Sequence, residues 1–116
     1  MSKILIVEDY KDLSEFYQEL LEEDTLFTAS DGEAAVSLYK EHKPDMVLMD
    51  LQLPKKSGIE ATKEILIIDP KAKIIAITAY GSTIGSKALE AGVKEVLRKP
   101  IRFNELKEII EKYKTI

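Results

Sequence analysis

Three acidic residues, a threonine and a lysine stand directly at the ends of short apolar or β-branched runs in this sequence. Glu8-Asp9 follows Ile4-Leu5-Ile6-Val7, Asp50 follows Met46-Val47-Leu48-Met49, Thr78 closes Ile74-Ile75-Ala76-Ile77, and Lys99-Pro100 follows the run 94–98. Carboxylates brought together repel one another unless a cation is shared. Oxygen-only donors suit a hard ion, and a few carboxylates completed by water suit magnesium better than an all-protein calcium cage. Such an ion neutralises charge in phosphoryl transfer. An aspartate carboxylate can itself accept a phosphoryl group, and a hydroxyl and an ammonium can then hold the phosphoryl oxygens. Taken singly, each residue has an ordinary structural reading. Glu8-Asp9 could cap a helix, Asp50 could sit in a turn before Pro54, and Thr78 suits a strand. Lys99 could be a solvated surface lysine, and Pro100 a first helical residue. Their joint placement is what points to chemistry.

That placement depends on the elements behind it. Strands are expected at Lys3–Val7, Thr25–Ala29, Asp45–Met49, Lys73–Thr78 and Lys94–Arg98. Three of the runs are continuously apolar, as in parallel strands buried on both faces. Helical periodicity lies between them. Leu13, Phe16, Tyr17, Leu20 and Leu21 form one apolar stripe. A second helix is expected from about Gly32 to Lys43, stopped by Pro44. A third spans about Ile59–Ile68, ending before Asp69-Pro70, and a fourth about Ser82–Ala91, ending at Gly92. A fifth follows Pro100, turning Phe103, Leu106, Ile110 and Tyr113 inward; Thr83 and Asn104 are candidate caps. Five β-then-α units in a row imply an α/β fold with a parallel sheet covered on both faces. The order 2-1-3-4-5, a flavodoxin-like doubly wound (βα)5 sheet, fits best. In it ligands bind beyond the carboxyl ends of the strands where the order reverses, between strands 1 and 3. All five residues belong to that rim.

Composition narrows the function classes. The chain has 116 residues, enough for one core, and residues 1–116 are expected to form a single domain. There is no cysteine, hence no disulfide, thiolate metal site or cysteine nucleophile, and the one histidine, His42, cannot build a histidine metal cluster alone. A net charge of −4, with lysines interleaved among glutamates, argues against nucleic acid as a direct partner. No segment is long enough to span a membrane, and the first apolar run leads straight into Glu8-Asp9. The expected location is cytoplasmic, without membrane insertion.

The motifs together resemble the receiver domains of two-component response regulators. The resemblance rests on 3–9 (KILIVED), 44–54 (PDMVLMDLQLP), 57–60 (SGIE), 77–81 (ITAYG), 88–92 (ALEAG) and Lys99-Pro100, and so covers nearly the whole chain. It implies that Asp50 is the phosphoacceptor. It implies that Asp9 is a direct Mg2+ ligand, Glu8 an outer acid acting partly through water, and the Gln52 backbone carbonyl a third ligand besides Asp50. Thr78 and Lys99 become the switch hydroxyl and the lysine of the family pattern, with the Lys99–Pro100 bond cis. By the same analogy Gln52 and Tyr80 border the path of a hydrolytic water, and the bulk of Tyr80 should slow phosphoryl loss. Val96, Glu8 and Lys55-Lys56 depart from the pattern. Val96 stands where many members carry an aromatic residue, so threonine–aromatic coupling cannot operate in its usual form. Glu8 replaces a more frequent aspartate, and Lys55-Lys56 a glycine-containing turn.

The function so implied is that of a stand-alone receiver, a monomer or weak dimer. It would take a phosphoryl group from a sensor histidine kinase or a histidine phosphotransfer protein. It would then present an altered face of helix 4, strand 5 and helix 5 to a target protein, or pass the group on in a relay. An electron-transfer flavoprotein would need a Ser/Thr/Gly-rich phosphate loop where residues 8–12 read EDYKD. A phosphatase with an aspartate nucleophile would want a second acid at Gln52. A phosphorylation-independent adaptor of the same fold and an excised receiver of a longer regulator are the remaining alternatives.

Overall fold

The computed structural model describes residues 2–79 and 82–114, so Tyr80 lies outside the described residues. Five strands alternate with five helices: β1 Lys3–Val7, α1 Lys11–Leu20, β2 Thr25–Ala29, α2 Gly32–His42, β3 Met46–Asp50, α3 Gly58–Ile68, β4 Ile74–Thr78, α4 Gly85–Ala91, β5 Glu95–Arg98 and α5 Phe103–Lys114. The strands form one parallel sheet in the order β2-β1-β3-β4-β5, as expected from the sequence.

The continuous apolar runs are explained by burial on two sides. Leu5, Val7, Val47, Met49, Ile74 and Ala76 pack with Ala35, Val36 and Tyr39 of α2, Ala61 and Ile65 of α3, and Ala88 of α4. Alternate residues Ile4, Ile6, Met46, Leu48, Ile75 and Ile77 pack with Tyr17 of α1, with Leu21 just after it, and with Leu106, Ile109 and Ile110 of α5. Period-two alternation thus feeds two cores, one per face. Each fully buried aliphatic side chain contributes about 1.5–3 kcal/mol, so the sheet is the rigid part that positions its rim.

Several boundaries differ from the sequence expectation, each for a local reason. Asp50 is the last residue of β3, whereas Asp45 lies before it and its side chain accepts the Lys3 N–H at 2.8 Å. Lys73 and Lys94 stand just outside β4 and β5. Helix α1 begins after Tyr10 with no side-chain cap, so Asp9 is not a cap. Thr83 and Asn104 are not caps either: α4 is preceded by Ile84 without a capping side chain, and Asn104 is already inside α5. The caps with bonds to show are Asp31, accepting from Ala34 N at 2.8 Å, and Ser57, accepting from Glu60 N at 3.2 Å. Phe16 and Phe103 are 44 % and 49 % exposed, so both leave the inward stripes assigned to them. Gly92 takes the left-handed conformation that ends α4, as expected.

Candidate functional site

The rim is built by backbone first. Glu8 N–H donates to Ala29 O at 3.0 Å, Leu51 N–H to Ile77 O at 3.0 Å, and Lys99 N–H to Thr78 O at 2.8 Å. Sheet hydrogen bonding therefore continues one residue beyond the strands and fixes where the side chains emerge. The ends of β1 and β3 are neighbours, which puts Glu8, Asp9 and Asp50 together. One carboxylate oxygen from each lies within 4.8 Å of the others.

Two of these acids are almost buried, Glu8 at 3 % and Asp50 at 2 % exposure, while Asp9 is exposed. Lys99 Nζ reaches across from β5, 3.1 Å from Asp50 Oδ2 and 3.3 Å from Glu8 Oε1. The other Asp50 oxygen accepts the Gln52 N–H at 2.9 Å, and Glu8 Oε2 accepts the Tyr10 N–H at 3.2 Å. Burial first, then the neighbouring Asp50 carboxylate, pushes the Glu8 carboxyl up to about 7 against the opposing pull of Tyr10 N–H and Lys99. Burial alone would lower the Lys99 ammonium, but Asp50 and Glu8 outweigh it and hold it above its usual range. Burial, with Glu8 and Asp50 behind it, also raises the Tyr17 phenol. The site is thus a concentrated negative field that a single lysine only partly offsets.

At this rim Thr78 Oγ1 is buried with no hydrogen-bond partner among the described residues, and Glu8 Oε1, likewise buried, has the 3.3 Å ion pair with Lys99 in place of a hydrogen bond. An unpaired buried hydroxyl is costly, and one lysine shared between two buried carboxylates leaves them under-neutralised. Here a hard cation would suit the carboxylate oxygen, and an anionic oxygen would suit the threonine hydroxyl. The donor set fits magnesium, because the oxygens are few, hard and open to water on the Asp9 side.

The structure brings Glu8, Asp9, Asp50, Gln52 and Lys99 into one cluster, with Thr78 ending the adjoining strand β4. The Lys99–Pro100 peptide is cis. Val96 is not at the cluster. It lies two residues before Arg98 on β5, where a Cβ on Gly85 of α4 would meet Val96 Cγ1 at 3.1 Å. It therefore faces the helix that follows the Thr78 loop.

Sequence reasoning missed the glycine contacts that shape the loop after β3. A Cβ on Gly58 would lie 2.3 Å from the Asp50 carbonyl oxygen, and one on Gly32 would lie 2.1 Å from the Lys56 carbonyl oxygen. Glycines directly after helix-capping residues, in Asp31-Gly32 and Ser57-Gly58, were the signal available.

Comparison with known proteins gives a consistent picture. The model of the response regulator receiver domain matches residues 4–111. Protein CcdB of Bacillus subtilis is 39 % identical over 97 % of both chains. The chemotaxis protein CheY of Thermotoga maritima is 36 % identical over 95 % of both. Sporulation initiation phosphotransferase F of Bacillus subtilis is 31 % identical over 96 % of this chain and 92 % of its own. Among solved structures, a response regulator receiver domain protein from Clostridium thermocellum superposes with a TM-score of 0.91 at 29 % identity, covering 97 % of this chain and 94 % of that one. The receiver domain of a sensor histidine kinase from Pseudomonas aeruginosa, crystallised with a magnesium ion coordinated in its active site cleft, gives 0.89 at 30 % identity, covering 97 % and 96 %.

Proposed function

The chain belongs to the response regulator receiver domain family of two-component signalling, and from that premise we propose that residues 1–116 form one receiver whose phosphoacceptor is Asp50. The observation that carries this reading is the convergence of Glu8, Asp9 and Asp50 at the β1/β3 switch point, with Lys99 bonded to Asp50 and a Thr78 hydroxyl that is unpaired among the described residues at the end of β4. No helix among the described residues is long and apolar enough to cross a membrane.

The donor is a phosphohistidine on a sensor kinase or phosphotransfer protein. A carboxylate oxygen of Asp50 forms the bond to phosphorus as the donor's P–N bond breaks and imidazole leaves. Asp9, Asp50 and the Gln52 carbonyl would hold Mg2+, with Glu8 acting partly through water. When bound, the ion offsets the charge of the transferring group. The chain's own residues do the rest. The Gln52 N–H orients the Asp50 carboxylate. Lys99 moves from carboxylate to phosphoryl oxygen, and Thr78 donates its free hydroxyl to another. Drawing Thr78 and Lys99 inward alters the ends of β4 and β5. With Val96 against Gly85, that change reaches α4, so the face of α4, β5 and α5 becomes the surface read by a target.

The experiment is incubation with acetyl phosphate and magnesium, followed by intact mass. One phosphoryl mass should be gained, and chelation or Asp50→Asn should abolish it. Gain at normal yield by Asp50→Asn contradicts the assignment.

A further inference from the structure

The loop 51–57 carries Gln52 past Asp50 and is fastened at both ends by the absence of a side chain. At one end Gly58 admits the Asp50 carbonyl oxygen to 2.3 Å from where a Cβ would be. At the other end Gly32, the first residue of α2, admits the Lys56 carbonyl oxygen to 2.1 Å and the Lys56 Cβ to 2.8 Å from such an atom. The contact at Gly32 is with backbone, which cannot swing aside as a long side chain can. Around it the loop is further tied down. Asp31 caps α2 with Oδ1, while its Oδ2 lies 3.6 Å from Lys55 Nζ. Lys55 is held at φ 63, a left-handed conformation that costs a non-glycine residue energy. Lys56 Nζ pairs with Glu64 of α3. The path of the loop is therefore set in part by the start of α2, an element with no residue in the carboxylate cluster.

We propose that the Asp31-Gly32 turn is a positioning element for the phosphorylation site: by admitting the Lys56 carbonyl it sets the course of 51–57 and so the place of Gln52 beside Asp50. Its consequence for the metal rests on the reading that the Gln52 carbonyl is a ligand. A Cβ at Gly32 must be relieved from 2.1 Å to ordinary contact, which moves the loop or α2 by about 1 Å or more. Magnesium demands near-ideal octahedral geometry at about 2.0–2.1 Å and tolerates such a displacement poorly.

The test compares the parent, Gly32→Ala and Lys40→Gly. Lys40 is exposed within α2, so its replacement weakens the helix without touching the loop. Magnesium affinity is measured by calorimetry, and the Gln52 and Lys56 amide resonances are recorded in metal-free protein. Gly32→Ala should bind magnesium about fivefold or more weakly and move the Gln52 amide, while Lys40→Gly keeps both at parent values. Parent affinity and an unmoved Gln52 amide in Gly32→Ala overturn the proposal, as does equal weakening in Lys40→Gly. Should Gly32→Ala not fold, Asp31→Asn keeps the capping oxygen and removes the charge facing Lys55. It should weaken binding about twofold, the small effect of a 3.6 Å pair whose lysine is solvated, and an unchanged affinity overturns the proposal. A parent that binds no magnesium contradicts the ligand reading alone, and the metal-free Gln52 amide then decides the role of the turn.

Discussion

Lys99→Met should destabilise the metal-free protein, and magnesium should restore most of the loss. Lys99 Nζ lies 3.1 Å from Asp50 Oδ2 and 3.3 Å from Glu8 Oε1, and both carboxylates are nearly buried. At an effective dielectric constant of about 20, one unit pair at about 3.2 Å is worth about 5 kcal/mol before desolvation is counted. Removing one partner of a buried pair costs about 3–5 kcal/mol, because the other charge is stranded. The lysine side chain is 31 % exposed, so water screens part of this, and about 2 kcal/mol is the reasonable expectation. In a domain of this length that is a fall in Tm of about 8 °C, at about 4 °C per kcal/mol. Methionine keeps the apolar stem, so lost packing adds little. The assay is thermal unfolding of parent and variant with chelator and with excess magnesium, at alkaline pH so that the stranded carboxylates stay ionised. A bound cation supplies the missing charge and no longer competes with an ammonium. Magnesium should therefore raise the Tm of the variant more than that of the parent and bind it more tightly. Equal Tm without metal, or equal increments with it, refutes the electrostatic argument.

Other perturbations separate stability from chemistry. Thr78→Val removes a buried hydroxyl that has no partner among the described residues and keeps its shape; unfolding should show it about 1 kcal/mol more stable, while phosphorylation by acetyl phosphate slows, and a destabilised variant would mean that the hydroxyl is already satisfied. Tyr39 donates to Asp69 Oδ2 at 2.7 Å, and this bond, with the Lys71 N–H behind it, holds the Asp69 carboxyl below its ordinary value. That stability is present above the unfolded carboxylate pKa of about 3.9 and is lost as pH falls through the lower folded value. Tyr39→Phe should therefore cost about 1 kcal/mol at neutral pH and less in acid; a pH-independent difference in urea midpoint would contradict this. Tyr80→Ala should speed phosphoryl loss from the purified phosphoprotein, and an unchanged half-life would show that Tyr80 does not gate water.

The sheet and its rim were legible because their signals are local. An unbroken run such as Ile4–Val7, short and followed at once by charge, suits a strand buried on both faces, and in a parallel sheet the residues ending such runs emerge at the same edge. Helix caps and exposures were less legible. Phe16 and Phe103 fit a helical stripe by spacing, yet each remains exposed, at the edge of its helix's buried face. Asp9 has a capping residue's type, but the helix begins two residues later. The Gly32–Lys56 and Gly58–Asp50 approaches join segments through backbone atoms, which no side-chain pattern records. The left-handed Lys55 is likewise imposed by the loop's anchors, against its residue type.

The central claim is that Asp50 carries the phosphoryl group. After reaction with acetyl phosphate and magnesium, borohydride reduction converts an acyl phosphate to the alcohol, and peptide mass mapping locates it. Reduction confined to position 50, as homoserine, is the result expected. Modification at Glu8, Asp9 or His42, or label persisting in Asp50→Asn, would contradict the account.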